Sequence, residues 1–255
     1  MSVRPKKRLG QHFLTDPHAV REIVDAVGAP LGAGVVEIGP GEGALTGDLL
    51  RRYPDLVALE VDDEAVAHLS RRFPALDLRQ QDVLAADWRA LAAGADAGLY
   101  VVGNLPYYIT SPILFALLDA RQSVARAVVM VQKEVADRLV APPGSKTYGT
   151  LSVYFSLYAR ADLVLDVPRQ AFRPPPKVES AVVALDFAGV DAVGVPFGAL
   201  QQVVRAAFGQ RRKMLRNSLG PLATAAGADL GDFATRRPEA VSPADFVTLA
   251  RRLVD

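Results

Sequence analysis

A strand, a glycine turn, a helix and a second strand follow one another between Val35 and Val61, and no other stretch limits the possible folds as tightly. Val35-Val36-Glu37-Ile38 is a short apolar strand, Gly39-Pro40-Gly41-Glu42-Gly43 the turn, Ala44 to Arg52 the helix and Leu56 to Val61 the next strand. Glycines in such a turn let backbone N–H groups approach a ligand where a side chain would stand in the way. Glu60 follows Gly39 by 21 positions, about the spacing at which the acid of a nucleotide-binding unit meets ribose hydroxyls. In open sheets of this kind the ligand lies at the carboxyl ends of the strands.

The turn also bears on the ligand. Its third glycine is one place early for a nicotinamide dinucleotide, and Glu42 sits where a pyrophosphate would meet the helix N-terminus. A carboxylate beside two phosphate charges is unfavourable, whereas a ligand without phosphate is not penalised. An adenosine carrying an amino acid, S-adenosylmethionine, fits that constraint. Glu42 as a simple helix cap is compatible with either ligand.

The flanking chain repeats the pattern. Asp16-Pro17 opens an amphipathic helix to about Val27, an N-cap followed by proline at the first helical position. Asp63 starts a helix to about Phe73, Leu76 to Gln80 is a third strand, and Asp82 follows it. That acid can accept a hydrogen bond from an adenine amino group or cap the next helix. A fourth strand, Leu99 to Val102, leads to Asn104-Leu-Pro-Tyr107 and Tyr108, then to an apolar run from Ile113 to Leu118. Ala127 to Val131 is a fifth strand, with a helix from Gln132 to Leu139. Strands alternating with helices predict an α/β fold with a doubly wound parallel sheet. Leu151 to Tyr158 has a helical apolar face, Phe172-Arg-Pro-Pro-Pro-Lys177 holds an extended path, and Val178 to Phe187 alternates as a strand. Gly189 to Gly194 reads as a linker before helices at Phe197 to Leu219 and Pro243 to Leu253.

Asn104 to Tyr107 stands where a buried strand empties into a loop. Asn104 offers a side-chain acceptor, Pro106 stiffens its neighbours, and Tyr107 offers a flat face, so together they can clasp a planar ring bearing an amino group. A capped turn with rim tyrosines explains the same residues.

Composition narrows the rest. With no cysteine there is no disulfide, thiolate nucleophile or cysteine zinc site, and His12, His18 and His68 have no metal-ligand spacing. No apolar run is long enough to span a bilayer, and the basic N-terminus lacks the apolar stretch of a signal peptide; a cytoplasmic protein without bound metal is expected. The net charge is only +1, but it is unevenly spread. Arg4, Lys6, Lys7 and Arg8 precede the first acid, and no acid lies between Ala192 and Ala228, where Arg205, Arg211, Arg212, Lys213 and Arg216 stand. A phosphate backbone is one partner for such segments, and a solvated basic face is the ordinary alternative.

Ordered stretches spanning nearly the whole chain resemble one family. They are Lys7-Arg-Leu-Gly-Gln-His-Phe-Leu14, Val36-Glu-Ile-Gly-Pro-Gly-Glu-Gly-Ala-Leu-Thr46, Leu59-Glu-Val-Asp62, Gln81-Asp-Val-Leu84, Asn104-Leu-Pro-Tyr-Tyr-Ile-Thr110, Gln132-Lys-Glu-Val-Ala136, Phe172-Arg-Pro-Pro-Pro-Lys-Val-Glu-Ser180 and Phe208-Gly-Gln-Arg-Arg-Lys-Met-Leu215. The family is that of the ribosomal RNA small-subunit adenine N6,N6-dimethyltransferases of the KsgA/RsmA type, related to the Erm resistance methylases and the mitochondrial transcription factor B proteins. The resemblance implies a Rossmann-like methyltransferase domain over 1–188, arm included, and a small helical RNA-binding domain over 189–255. It implies S-adenosylmethionine as cofactor, held by His12, Leu14, Gly39, Glu60, Asp82 and Asn104; the family often has Asn where His12 stands. The substrate it implies is a pair of adjacent adenosines near the 3′ end of 16S rRNA, and the protein a monomer.

On that reading the Asn104 side-chain oxygen and the Pro106 carbonyl accept the hydrogens of the adenine amine, while Tyr107 and Phe172 sandwich the ring. Lys6, Lys7, Arg8, Arg211, Arg212 and Lys213 hold RNA phosphates. The competing readings are methylation of large-subunit RNA of the resistance type, an assembly factor whose methyl transfer is secondary, and a nicotinamide oxidoreductase, which Glu42 disfavours.

Overall fold

The structure, a computed structural model, describes residues 3–6, 10–190 and 193–254. Nine strands occur among them: β1 (Phe13–Leu14), β2 (Gly34–Ile38), β3 (Val57–Glu60), β4 (Asp77–Gln80), β5 (Leu99–Asn104), β6 (Val124–Gln132), β7 (Arg160–Val167), β8 (Phe172–Arg173) and β9 (Ser180–Asp186). Helices α1 (Pro17–Val27), α2 (Thr46–Arg52), α3 (Asp63–Arg72), α4 (Trp88–Leu91) and α5 (Thr110–Asp119) connect the first strands. Beyond β6 come α6 (Lys133–Leu139), α7 (Thr150–Tyr158), α8 (Phe197–Gly209), α9 (Leu215–Ser218), α10 (Gly220–Ala225) and α11 (Pro243–Leu253).

Seven strands form one sheet in the order β4-β3-β2-β5-β6-β9-β7. β4, β3, β2, β5 and β6 pair in parallel, as expected, while β9 runs antiparallel to β6, so the sheet is mixed. From β2 the chain steps outward through β3 to β4 and then returns to the other side of β2 for β5. That reversal makes the end of β2 a switch point, where a crevice opens between diverging connections. β1 and β8 pair separately as a short antiparallel ribbon.

The sequence dictates these elements locally. Asp16 caps α1 by accepting hydrogen bonds from the His18 and Ala19 N–H groups at 2.7 and 3.4 Å, a kind of contact worth about 1 kcal/mol. Ala19, Val20, Ile23, Val24 and Val27 form the buried stripe of that helix. They pack in one core with Leu49, Val102, Met130, Phe172 and Val182. A side chain buried as fully as Ile23 contributes on the order of 2 kcal/mol.

The chain forms two compact units, Met1–Ala136 with Ala161–Ala188 and Asp137–Arg160 with Gly189–Asp255. The expected second domain thus takes in 137–160 as well. The reason is aromatic packing: Tyr154 and Tyr158 lie 5.6 and 5.5 Å from Phe197, and Tyr148 lies 6.1 Å from Phe208. The expected helix from Phe197 to Leu219 is broken after Gly209, where Lys213 N–H returns to the Gln210 carbonyl at 2.8 Å in a turn. Among the described residues no helix is long and apolar enough to cross a membrane.

Candidate active site

The carboxyl ends of β2, β3 and β5 open into a cavity of about 270 Å³ bounded by Gly39, Gly41, Glu60, Asp82, Asn104 and Tyr107. His12 and Leu14 join it from the chain before α1, so all the expected cofactor residues meet in one place. Gly41 has φ +58°, and a Cβ there would stand 3.0 Å from the Phe13 ring. Only glycine takes that backbone without strain and lets the turn pass so close to the ring.

Glu60 is buried at the end of β3, and three backbone donors hold it. Its Oε1 accepts the Val61 and Asp62 N–H groups at 2.8 and 2.9 Å, and its Oε2 accepts Gly41 N–H at 3.1 Å. Burial pushes its carboxyl above the usual range, and those hydrogen bonds oppose the shift. The acid is thereby fixed at the glycine turn, where it can receive ribose hydroxyls. Asp82 caps the turn after β4, accepting Leu84 N–H at 2.9 Å, and it also lines the cavity. The capping reading of that acid holds, and its place on the cavity wall leaves it within the pocket where an adenine amino group was expected.

Glu37 lines the cavity too and was not singled out from the sequence, although an acid inside an apolar strand is a signal in itself. Its carboxylate accepts the Thr46 hydroxyl at 2.7 Å. Burial pushes it up to about 8, the Thr46 bond opposes this, and the Glu60 charge adds to it. A folded pKa above the unfolded one gives stability that is complete below about 4.5 and is lost as pH rises through about 8. At about 1.4 kcal/mol per unit the effect is on the order of a few kcal/mol. Thermal unfolding of the ligand-free chain at pH 5, 6.5 and 8 is expected to show falling stability, and Glu37→Gln to flatten the trend.

The N-terminal arm is strapped beside this site. Val3 N–H donates to Glu42 Oε1 at 2.9 Å, so Glu42 anchors the arm, and α2 carries no side-chain cap. Lys6 Nζ lies 2.5 Å from Asp62 Oδ1 and 3.3 Å from Glu64, and Gln11 Nε2 donates to Asp62 Oδ2 at 2.9 Å. Burial of Asp62 is outweighed by the Lys6 and Gln11 hydrogen bonds, which hold its carboxyl below the usual range. Lys6 is therefore engaged by acids instead of being presented to RNA. Lys7 and Arg8 lie outside the described residues. Arg211 is likewise committed, donating to the Lys146 and Tyr148 carbonyls at 2.6 and 3.0 Å, while Arg212 and Lys213 stand exposed on the turn after α8.

At the end of β5, Asn104 Nδ2 donates to the His12 carbonyl at 2.9 Å. A carbonyl can only accept, so this bond fixes which way the carboxamide faces and leaves Oδ1 as the free end of the amide. The Pro106 carbonyl, expected to receive a substrate hydrogen, already accepts Ile109 N–H at 3.2 Å and the Thr110 hydroxyl at 3.1 Å. Both of its lone pairs are used to start α5. Tyr107 lies 2.5 Å, hydroxyl to hydroxyl, from Ser180, and burial holds its phenol above the ordinary value. Its ring stacks on His12 with centroids 5.7 Å apart. Phe172 does not complete a sandwich: it is 3% exposed, pairs with Leu14 across the ribbon and belongs to the core.

Residues 3–234 match the family described as Ribosomal RNA adenine dimethylase. Ribosomal RNA small subunit methyltransferase A of Salinibacter ruber is 48% identical over 254 residues, covering 98% of this chain and 85% of that protein. The protein of that name from Xanthomonas euvesicatoria is 46% identical over 256 residues, covering 98% and 96%. Among solved structures, a dimethyladenosine transferase from Plasmodium falciparum has a TM-score of 0.77 at 23% identity, covering 93% of this chain and 96% of that one. The 23S rRNA methyltransferase ErmE reaches 0.68 at 24% identity, covering 95% and 100%. Those two share the Rossmann-like methyltransferase fold. The chain belongs to the ribosomal RNA adenine dimethylase family.

Proposed function

We propose that this protein converts two adjacent adenosines near the 3′ end of 16S rRNA, within the small ribosomal subunit, to N6,N6-dimethyladenosine, acting as a monomer. S-adenosylmethionine is its cofactor and supplies, when bound, an electrophilic methyl group on a sulfonium. A buried acid over a glycine turn, Glu60 held by the Gly41, Val61 and Asp62 N–H groups, suits its ribose hydroxyls.

The observation that carries the reading is the Asn104–His12 bond. The exocyclic amine of adenine is a poor nucleophile because its lone pair is delocalised into the ring. With its amide nitrogen held by the His12 carbonyl, Asn104 turns Oδ1 to accept a hydrogen from that amine, which frees the lone pair for attack. Leu105 also lines the cavity, and with Pro106 occupied its carbonyl is the neighbouring acceptor for the second hydrogen. Tyr107, backed by His12, supplies the stacking platform, worth about 1–3 kcal/mol per base. Positioning then carries most of the rate, since no strong base is required before the methylated amine turns acidic.

Methyl transfer from labelled cofactor to undermethylated small subunits tests this. The expected product is N6,N6-dimethyladenosine mapped to two adjacent 16S positions by primer extension. A product in 23S rRNA, or a singly methylated end product, contradicts it.

A further inference from the structure

The loop from Phe172 to Ser180 is tied to both rings of the pocket. The Pro174 carbonyl lies 2.7 Å from His12 Nδ1 at one end, and Ser180 meets the Tyr107 hydroxyl at the other. Arg173 stands just before the first anchor and Lys177 between the two; both are exposed, and among the described residues neither side chain makes a hydrogen bond or ion pair. In the ribbon Phe172 faces Leu14 and is buried, and Arg173 faces Phe13. Successive strand side chains point to opposite faces, so burying Phe172 turns Arg173 outward.

Charge and stiffness favour an anionic partner here. Glu179, the acid of this loop, already accepts Arg169 N–H at 2.8 Å. Pro174, Pro175 and Pro176 limit the backbone freedom that would be lost when the cations engage a ligand. Lys6 and Arg211, two cations expected on RNA, are committed elsewhere. An extruded adenosine leaves its flanking phosphates beside the pocket mouth, and phosphate contacts are what set register on a nucleic acid.

We propose that Arg173 and Lys177 form a phosphate clamp that grips the RNA backbone next to the target adenosine, so that one loop fixes both the strand and the rings His12 and Tyr107. This rests on reading Asn104 to Tyr107 as the target pocket.

The test uses the full chain with Arg173→Gln, Lys177→Gln and the pair together. Binding of a labelled 3′-terminal 16S rRNA fragment is measured across a salt series, alongside cofactor affinity and thermal unfolding. Each removed contact is expected to shallow the log–log salt slope by about 0.7–0.9. The paired variant is expected to raise KM for RNA about tenfold or more, with cofactor affinity and unfolding unchanged, and Arg173→Lys to restore the slope. An unchanged slope in the paired variant overturns the proposal, as does weakened binding at constant slope, which would indicate a distorted loop. Asn104→Ala measured in parallel separates the two ideas: retained turnover there refutes the pocket, whatever the slope does.

Discussion

Asn104→Ala is expected to cut methyl transfer by at least about 10²–10³-fold, the cost of removing one well-placed polar group at a reacting centre. Cofactor affinity is expected to stay within about tenfold, roughly 1.4 kcal/mol. The reason lies in the two ends of one side chain. Nδ2 is committed to the His12 carbonyl at 2.9 Å, and Oδ1 is the end left for substrate. Asn104→Asp sharpens the test, because it keeps an acceptor but loses the donor and sets a carboxylate against that carbonyl. It is expected to be as inactive as the alanine variant. Single-turnover transfer, with cofactor binding by calorimetry, checks both; near-normal turnover by either variant removes Asn104 from the mechanism.

Gly103→Ala is expected to have the largest effect on stability. The added Cβ would stand 2.5 Å from the Ile38 carbonyl oxygen and 3.2 Å from Ile38 Cβ. Ile38 and Gly103 are register partners in the centre of the sheet, so backbone has to move, and no flexible side chain can yield instead. Overpacking of this kind costs about 3 kcal/mol, or about 10 °C in Tm for a chain of this size. Because Asn104 is the next residue, activity is expected to fall with stability. Gly34→Ala at the far end of the same strand pair is the control: its Cβ would meet Leu99 Cδ2 at 2.8 Å, a methyl group that can swing aside. A scanning measurement that finds Gly103→Ala within 2 °C of the parent, roughly the shift of 1 kcal/mol or less, contradicts this account of the close approach.

The parts of the site that were legible in the sequence are those built by local rules. The glycine turn, Glu60 and Asn104 sit at strand ends separated by short connections, so the alternation of strand and helix is enough to bring them together. Asp16-Pro17 announced α1 because capping and a fixed proline φ act within one turn. What could not be read was set by contacts distant in sequence. Lys6 was expected on RNA, yet its partner Asp62 lies 56 positions away. Phe172 resembled a stacking aromatic, but its pairing with Leu14 turns it into the core. β7 was missed because half of Arg160–Val167 is exposed at the sheet's edge, only Val167 is buried, and the strand shows little apolar alternation. Placing α7 with the C-terminal helices depended on Tyr148 and Tyr154 finding aromatic partners some fifty residues on, near Phe208 and Phe197.

The central claim is that a carboxamide anchored to the arm grips the amine to be methylated. A crystal structure of the protein with RNA and a non-reactive cofactor analogue tests it most directly. The account predicts the target adenine N6 about 3 Å from Asn104 Oδ1, with its ring on Tyr107 and Nδ2 still bound to the His12 carbonyl. A target purine seated elsewhere, with the Asn104 side chain turned away from it, would contradict the account.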